Sequence, residues 1–188
     1  MRLEHWVWKR TGINLFRLRE DRRVLEKEII PRLKKALTTL ERQHVLSIGV
    51  DWHCLHYREF FPFPKYDFST IDCDASKKPT IVCRMQEMHK HFPFEYLNIV
   101  LCNGVVGWGI NDQEEVLKAF WSLFQAMSKG GVVVVGVDML TTSGHLVANE
   151  IKEAGFEPYW LKDVGTHFYT KTSYRHLYMF FQKKDPPR

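Results

Sequence analysis

A chain of 188 residues is most simply one domain, long enough to bury roughly two-thirds of the surface its unfolded form exposes. Its apolar and charged fractions, 45% and 26%, are those of an ordinary globular protein, and its longest apolar runs, such as "GGVVVVGV", are far too short to span a bilayer. The net charge of +5 invites a nucleic-acid reading. The densest basic cluster, "KRTGINLFRLREDRR", already contains Glu20 and Asp21, so it reads as a solvated mixed-charge helix face, and nucleic acid is not favoured as a partner. The N-terminus alternates charge with aromatics and lacks the apolar centre of a secretory signal. Cys54, Cys73, Cys83 and Cys102 lie in or beside apolar runs without paired spacing, which suits buried thiols in a reducing compartment. The expectation is a cytoplasmic protein with no membrane association.

Residues 1–41 read as an N-terminal helical segment and 42–184 as a sheet core, within a single domain spanning 1–188. Over 20–41, Val24, Leu25, Ile29, Leu33, Leu37 and Leu40 recur at helical spacing, and Pro31 inside the pattern predicts a kink or a break. A first strand is expected at 45–49. "DFSTIDCD" supplies a second, ending in Asp72 and Asp74; "TIVCRM" is a short third and "YLNIVLCN" a clearer fourth. "DQEEVLKAFWSLFQAMSKGG" is an amphipathic helix with Asp112 as N-cap and Lys129-Gly130-Gly131 as its close. "VVVVGVD" is a fifth strand whose continuous apolar run implies burial on both faces. A helix at about 143–154 ends at Gly155, and "EPYWLKDV" and "HLYMFFQKK" read as the last two strands. The alternation predicts an α/β fold with a doubly wound, mostly parallel seven-stranded sheet, an antiparallel last strand and helices on both faces. Such sheets bind ligands at the carboxyl ends of their strands, here Gly49–His53, Asp72–Asp74, Arg84–Met85 and Asn103–Gly104.

These pieces together resemble the class I S-adenosylmethionine-dependent methyltransferase family over roughly residues 20–184. "VLSIGVD" looks like its first motif, "STIDCDAS" like its second strand with a ribose-binding acid, and "EEVLKAFWSLFQAMSKGGVVVVGVD" like its shared helix, Gly-Gly turn and fifth strand. The resemblance implies S-adenosylmethionine as cofactor and methyl transfer to an O or N of a small-molecule acceptor. It places the cofactor on Gly49, Asp51, Asp72 (with Asp74 in reserve), Met85, Asn103 and Gly104. The chemistry agrees: an ionised carboxylate accepts both hydroxyls of a ribose diol, and a glycine lets the backbone approach a ligand closely. Two departures stand out. Asp51 and His53 occupy positions where further glycines are usual, although a carboxylate suits the cationic end of this cofactor. Arg84 replaces the acid that usually meets adenine, leaving the backbone and side chain of Met85 for the ring.

His145 and His167 are the candidates to remove the acceptor's proton, because imidazole titrates near physiological pH. Trp108, in a "GWG" loop after a strand end, is expected to line the acceptor pocket. "HCLH" and "HKH" lack a second matching ligand set, so no metal is expected. A rival reading is a non-catalytic methyltransferase-like binding module whose altered first loop no longer takes cofactor. A nicotinamide-dependent oxidoreductase is the third, and it lacks G-x-G-x-x-G.

Overall fold

The computed structural model describes residues 3–13, 15–37, 41–52, 54–140, 144–171 and 175–184. Among the described residues, eight strands form one sheet: β1 (Gln43–Ile48), β2 (Tyr66–Asp72), β3 (Ile81–Val82), β4 (Leu97–Asn103), β5 (Met127–Asp138), β6 (Phe156–Pro158), β7 (His167–Tyr169) and β8 (His176–Lys183). Their order is β3-β2-β1-β4-β5-β8-β6, with β7 also on β8. The neighbours from β3 to β5 are parallel, and β8 runs antiparallel to β5, β6 and β7. The chain thus winds outward from β1 to β3, returns to β4 beside β1, and continues the other way. That reversal between β1 and β4 is where an open α/β sheet leaves a crevice at its carboxyl edge.

The period-two alternation of each strand divides the core. Leu46, Ile48, Val100, Cys102, Val133 and Val135 face one side, where α4 (Gln113–Ala126) and α5 (Gly144–Glu153) pack with Phe120, Leu123, Val147 and Ile151. Val45, Ile99, Leu101, Val132, Val134, Tyr178 and Phe180 face the other, against Leu25, Ile29, Ile30 and Leu33 of the N-terminal helices and Tyr57 and Phe61 of the segment after β1. Asp112 caps α4 as expected, its carboxylate accepting from the Glu115 N–H at 2.8 Å.

Three local expectations are corrected. The seven-stranded count becomes eight because "EPYWLKDV" is not one strand. β6 covers only Phe156–Pro158, a turn with Asp163 at φ 64° and Gly165 at φ 101° follows, and β7 resumes along the same edge of β8. Helix α4 stops at Ala126, short of the Gly-Gly pair. Leu97 pairs with Met127 and Ile99 with Val132, so Ser128–Gly131 bulges within the strand. A Cβ on Gly131 would lie 2.9 Å from two backbone carbonyl oxygens, which explains a glycine there. Around Pro31 the helix changes type without ending: α2 (Glu20–Val24), a π-helical turn (Leu25–Ile29) and α3 (Ile30–Ala36), with Pro31 in its first turn, follow in direct succession. The wider turn accommodates the missing N–H and the ring of Pro31. Residues 38–40, including Leu40, lie outside the described residues.

The thiol expectation holds in part: Cys102 is buried, Cys54 and Cys83 are half-buried, and Cys73 is exposed. No described helix is long and apolar enough to cross a membrane.

Candidate functional site

A cleft of about 1020 Å³ opens at the carboxyl ends of β1, β2, β4 and β5. That volume is at the upper end for a small-molecule site and accommodates a nucleoside-sized ligand beside a second molecule. Strand order gives it two halves. The β1–β2–β3 half carries Gly49, Asp51, Asp72, Lys77, Arg84 and Met85; the β4–β5–β8 half carries Asn103, Asp138, His176 and, from the N-terminal helices, Asp21 and Arg22.

In the first half the sequence-level candidates come together. Gly49 ends β1 with φ 78°, and a Cβ there would sit 3.1 Å from the Val105 side chain, so glycine alone fits both its backbone and its space. Asp72, the last residue of β2, accepts from the Val50 N–H at 2.7 Å through one carboxylate oxygen and from the Asp74 N–H at 2.8 Å through the other. It therefore ties the loop after β1 to the loop after β2. Each oxygen keeps a second lone pair, since an ionised carboxylate has about four acceptor sites. Asp51 accepts from the Trp52 N–H at 2.7 Å and lies 3.5 Å from the Lys77 ammonium, both side chains being well exposed. Met85 is buried and begins a short helical turn (Met85–Lys90) after the exposed Arg84. Asp74 is placed differently. Its carboxylate caps the turn Ala75–Lys77 through the Ser76 N–H, bonds that pull its pKa down, and it does not line the cleft.

The second half holds groups the sequence reading missed. Arg22 and Asp21, expected on a solvated face, are almost wholly buried. Arg22 donates to the Tyr57 hydroxyl and lies beside Asp21, while the Tyr178 hydroxyl donates to the Asp21 carbonyl at 2.9 Å. Burial pushes the Tyr57 and Tyr178 phenols up, so both stay neutral partners of a permanently charged guanidinium. His176, at the start of β8, lines the cleft although the sequence pointed instead to His145 and His167.

His176 Nε2 lies 2.9 Å from Asn103 Oδ1. Burial pushes the imidazole down to about 4, so it is neutral at physiological pH, and the bond to a carbonyl oxygen places its proton on Nε2. Gly136 lies between them: a Cβ there would be 2.1 Å from Asn103 Oδ1 and 2.8 Å from His176 Nε2. The Asn103 Nδ2 group is buried with no hydrogen-bond partner.

Gly104, at φ 73° with open space around its Cα, and the exposed Trp108 also line the cleft. His167 does not: it is exposed on β7, beside Tyr169 at the far edge of the sheet. His145 falls in the first turn of α5, and its side chain lies outside the described residues, as does His53. His56 and His89 have local partners, bonding Glu26 and Ser122 at 2.7 and 2.8 Å.

Fold and cleft define a class: the chain has the fold of class I S-adenosylmethionine-dependent methyltransferases. The N-methyltransferase NodS from Bradyrhizobium japonicum WM9 is similar to it with a TM-score of 0.63 at 12% identity, over 85% of this chain and 97% of that one. A TehB-like SAM-dependent methyltransferase from Corynebacterium glutamicum gives 0.59 at 14% identity, over 82% and 87%. NodS in complex with S-adenosyl-L-homocysteine gives 0.61 at 12% identity, over 89% and 94%. No protein-family model matches the sequence, and no curated protein matches it.

Proposed function

We propose that the protein is, as a single domain, an S-adenosylmethionine-dependent methyltransferase that methylates an O or N of a small molecule. The observation that carries this is Asp72: a carboxylate at the tip of β2, pinned by the Val50 and Asp74 N–H groups, with acceptor sites to spare at a cleft edge beside Gly49. The residues fit the cofactor. Gly49 leaves the backbone bare where the loop after β1 meets the cleft, Asp72 has the chemistry to hold a ribose diol, and Met85 offers an apolar surface to a purine. Asp51 at the cleft edge has the charge to meet a cationic amino-acid tail, and Gly104 closes the β4 side, with Asn103 at the border of the acceptor half. With Asp74 occupied as a cap, the diol falls to Asp72.

When bound, the cofactor supplies an electrophilic methyl on a sulfonium. The chain's own contribution is to orient the acceptor in line with it, to exclude water, and to take up a proton. Helix α5 runs back from the cleft end of the sheet, so His145 in its first turn is carried near that edge and is our candidate proton acceptor. His167 does not line the cleft, which leaves it without an acceptor to serve.

A second reading, a binding module that has lost the cofactor, is favoured by two features: Lys77 already sits against Asp51, and Arg84 stands at the adenine end. Calorimetric titration with S-adenosylhomocysteine separates the two. A saturable isotherm supports the enzyme, and transfer of a labelled methyl to dialysable molecules of a cell extract completes the case. No heat and no thermal shift at millimolar ligand leaves the binding module.

A further inference from the structure

The β4–β5–β8 half of the cleft contains a built donor. Its register explains how. Asn103 pairs with Gly136, and Gly136 with Tyr178, across three adjacent strands. The Asn103 and His176 side chains meet over the bare Cα of Gly136, where any larger residue would separate them. The backbone of His176 is held in turn: its N–H donates to Thr170 Oγ1 at 2.9 Å, and its carbonyl accepts from the Thr170 N–H at 2.9 Å. The ring also lies 4.7 Å from that of Tyr178. The imidazole is therefore fixed, and because its Nε2–H engages Oδ1, the amide of Asn103 has one orientation. What remains is Nδ2, a buried donor without a partner on a residue that lines the cleft. An unmade hydrogen bond of this kind is unfavourable, and a ligand oxygen that accepts it recovers the cost on binding.

We propose that His176 is a positioning residue that orients Asn103 Nδ2 to receive an oxygen of the methyl-accepting molecule, so that the acceptor carries a neutral carbonyl-type oxygen beside its reacting atom and not an ammonium group. The inference deepens the proposed function and rests on it for the division of the cleft, with the cofactor over β1 and β2 and the acceptor over β4, β5 and β8. A cationic amine would place donor against donor at Nδ2. The bordering Trp108, Ile110 and Leu140 supply apolar surface for the rest of a small, flat molecule.

The test uses protein saturated with S-adenosylhomocysteine and two probes of similar shape, benzamide and benzylamine, titrated by ligand-observed NMR. Benzamide is expected to bind and benzylamine not. Asn103→Ala, Gly136→Ala and His176→Leu are each expected to weaken benzamide by about fivefold to tenfold, the equivalent of one lost hydrogen bond. His176→Gln, whose amide N–H reaches Asn103 Oδ1 in place of the imidazole, restores wild-type affinity; a role in stability alone predicts no such rescue. Should Gly136→Ala fail to fold, the Leu and Gln variants at 176 carry the comparison. Absence of benzamide binding, equal or tighter binding of benzylamine, or wild-type affinity in His176→Leu each overturns the proposal. Absence of S-adenosylhomocysteine binding overturns the cofactor reading instead, and the same probes on the free protein then still report whether the Asn103 donor is used.

Discussion

Asn103 and His176, 73 residues apart in sequence, are joined by a 2.9 Å hydrogen bond that crosses the sheet over Gly136. A glycine within an otherwise β-branched strand loses packing and conformational entropy, so its presence marks a close approach. Here the approach is a side-chain bridge from β4 to β8 that skips β5.

That bridge makes His176 a source of acid sensitivity. Burial holds the folded-state value near 4, below the ordinary value of 6.5, so the unfolded chain binds the proton more readily over that interval. Stability is accordingly full above about 6.5 and falls as pH drops towards 4. Asp21 and Asp138 oppose the shift, while Arg22 and Arg19 reinforce it. Urea melts at pH 7 and pH 5 should show a smaller loss on acidification in His176→Leu than in the wild type; equal losses would assign the sensitivity to other groups, of which His44, also pushed down by burial, is the first to test.

Gly49→Ala addresses the turn out of β1. The substitution combines a left-handed backbone, at about 1–2 kcal/mol for an L-residue, with a Cβ 3.1 Å from the Val105 side chain. A loss of about 2 kcal/mol in urea unfolding is expected, together with weaker S-adenosylhomocysteine binding. A variant as stable as the wild type would show that the loop rearranges.

Arg22 is expected to matter more to stability than its place in a charged stretch implies. Arg22→Ala leaves the Tyr57 hydroxyl buried without its donor and Asp21 with only Arg19, at 3.3 Å, and breaking a buried pair of this kind costs about 3 kcal/mol, the low end of its range. Chemical denaturation reads this directly, and a loss below about 1 kcal/mol would return Arg22 to the solvated class.

What the sequence shows and hides follows from the range of each interaction. Local periodicity is enough for β1 to β5, α4 and α5, because Val45/Leu46 or Val132/Val133 alternate between two apolar layers and the chain displays that alternation. Turn chemistry inside aromatic-rich segments is harder. "YWLKDVG" has strand-forming composition, yet Asp163 and Gly165 take positive φ and make it a turn. That Gly49, Asp72 and Met85 lie at the cleft edge was legible because strand ends are visible in the chain. Arg22, His176 and the Asn103 amide were not, since burial of a charge or the tautomer of a histidine depends on partners that only the sheet register brings together. The glycine in "VVVVGVD" was the one available sign of the bridge.

Asp72→Ala tests the ribose position. Loss of a charged hydrogen-bonding partner predicts S-adenosylhomocysteine binding weaker by about 1.5–3 kcal/mol. Because Asp72 also accepts from the Val50 and Asp74 N–H groups, the free protein should melt at a lower temperature as well. Asp74→Ala, which removes only an exposed cap, should leave affinity unchanged. The reverse ranking of the two variants would transfer the diol to Asp74.

The loop after β1 gives the sharpest contrast, because Asp51 has two cationic claimants. In the structure it faces Lys77 at 3.5 Å, with the two side chains 42% and 39% exposed. A pair this exposed is worth about 0–1 kcal/mol, so neither Asp51→Asn nor Lys77→Ala should move the melting temperature appreciably. Their effects on ligand affinity should oppose each other. If Asp51 meets the cationic end of the cofactor, Asp51→Asn weakens S-adenosylhomocysteine binding, while Lys77→Ala removes the competing ammonium and tightens it. Raising the salt concentration should shrink both differences, since charges this close to water are screened. Calorimetry on the two single variants and the double variant decides the matter. Should Lys77→Ala weaken binding as much as Asp51→Asn does, the ion pair is a structural clasp that shapes the loop, and the tail of the cofactor is held elsewhere.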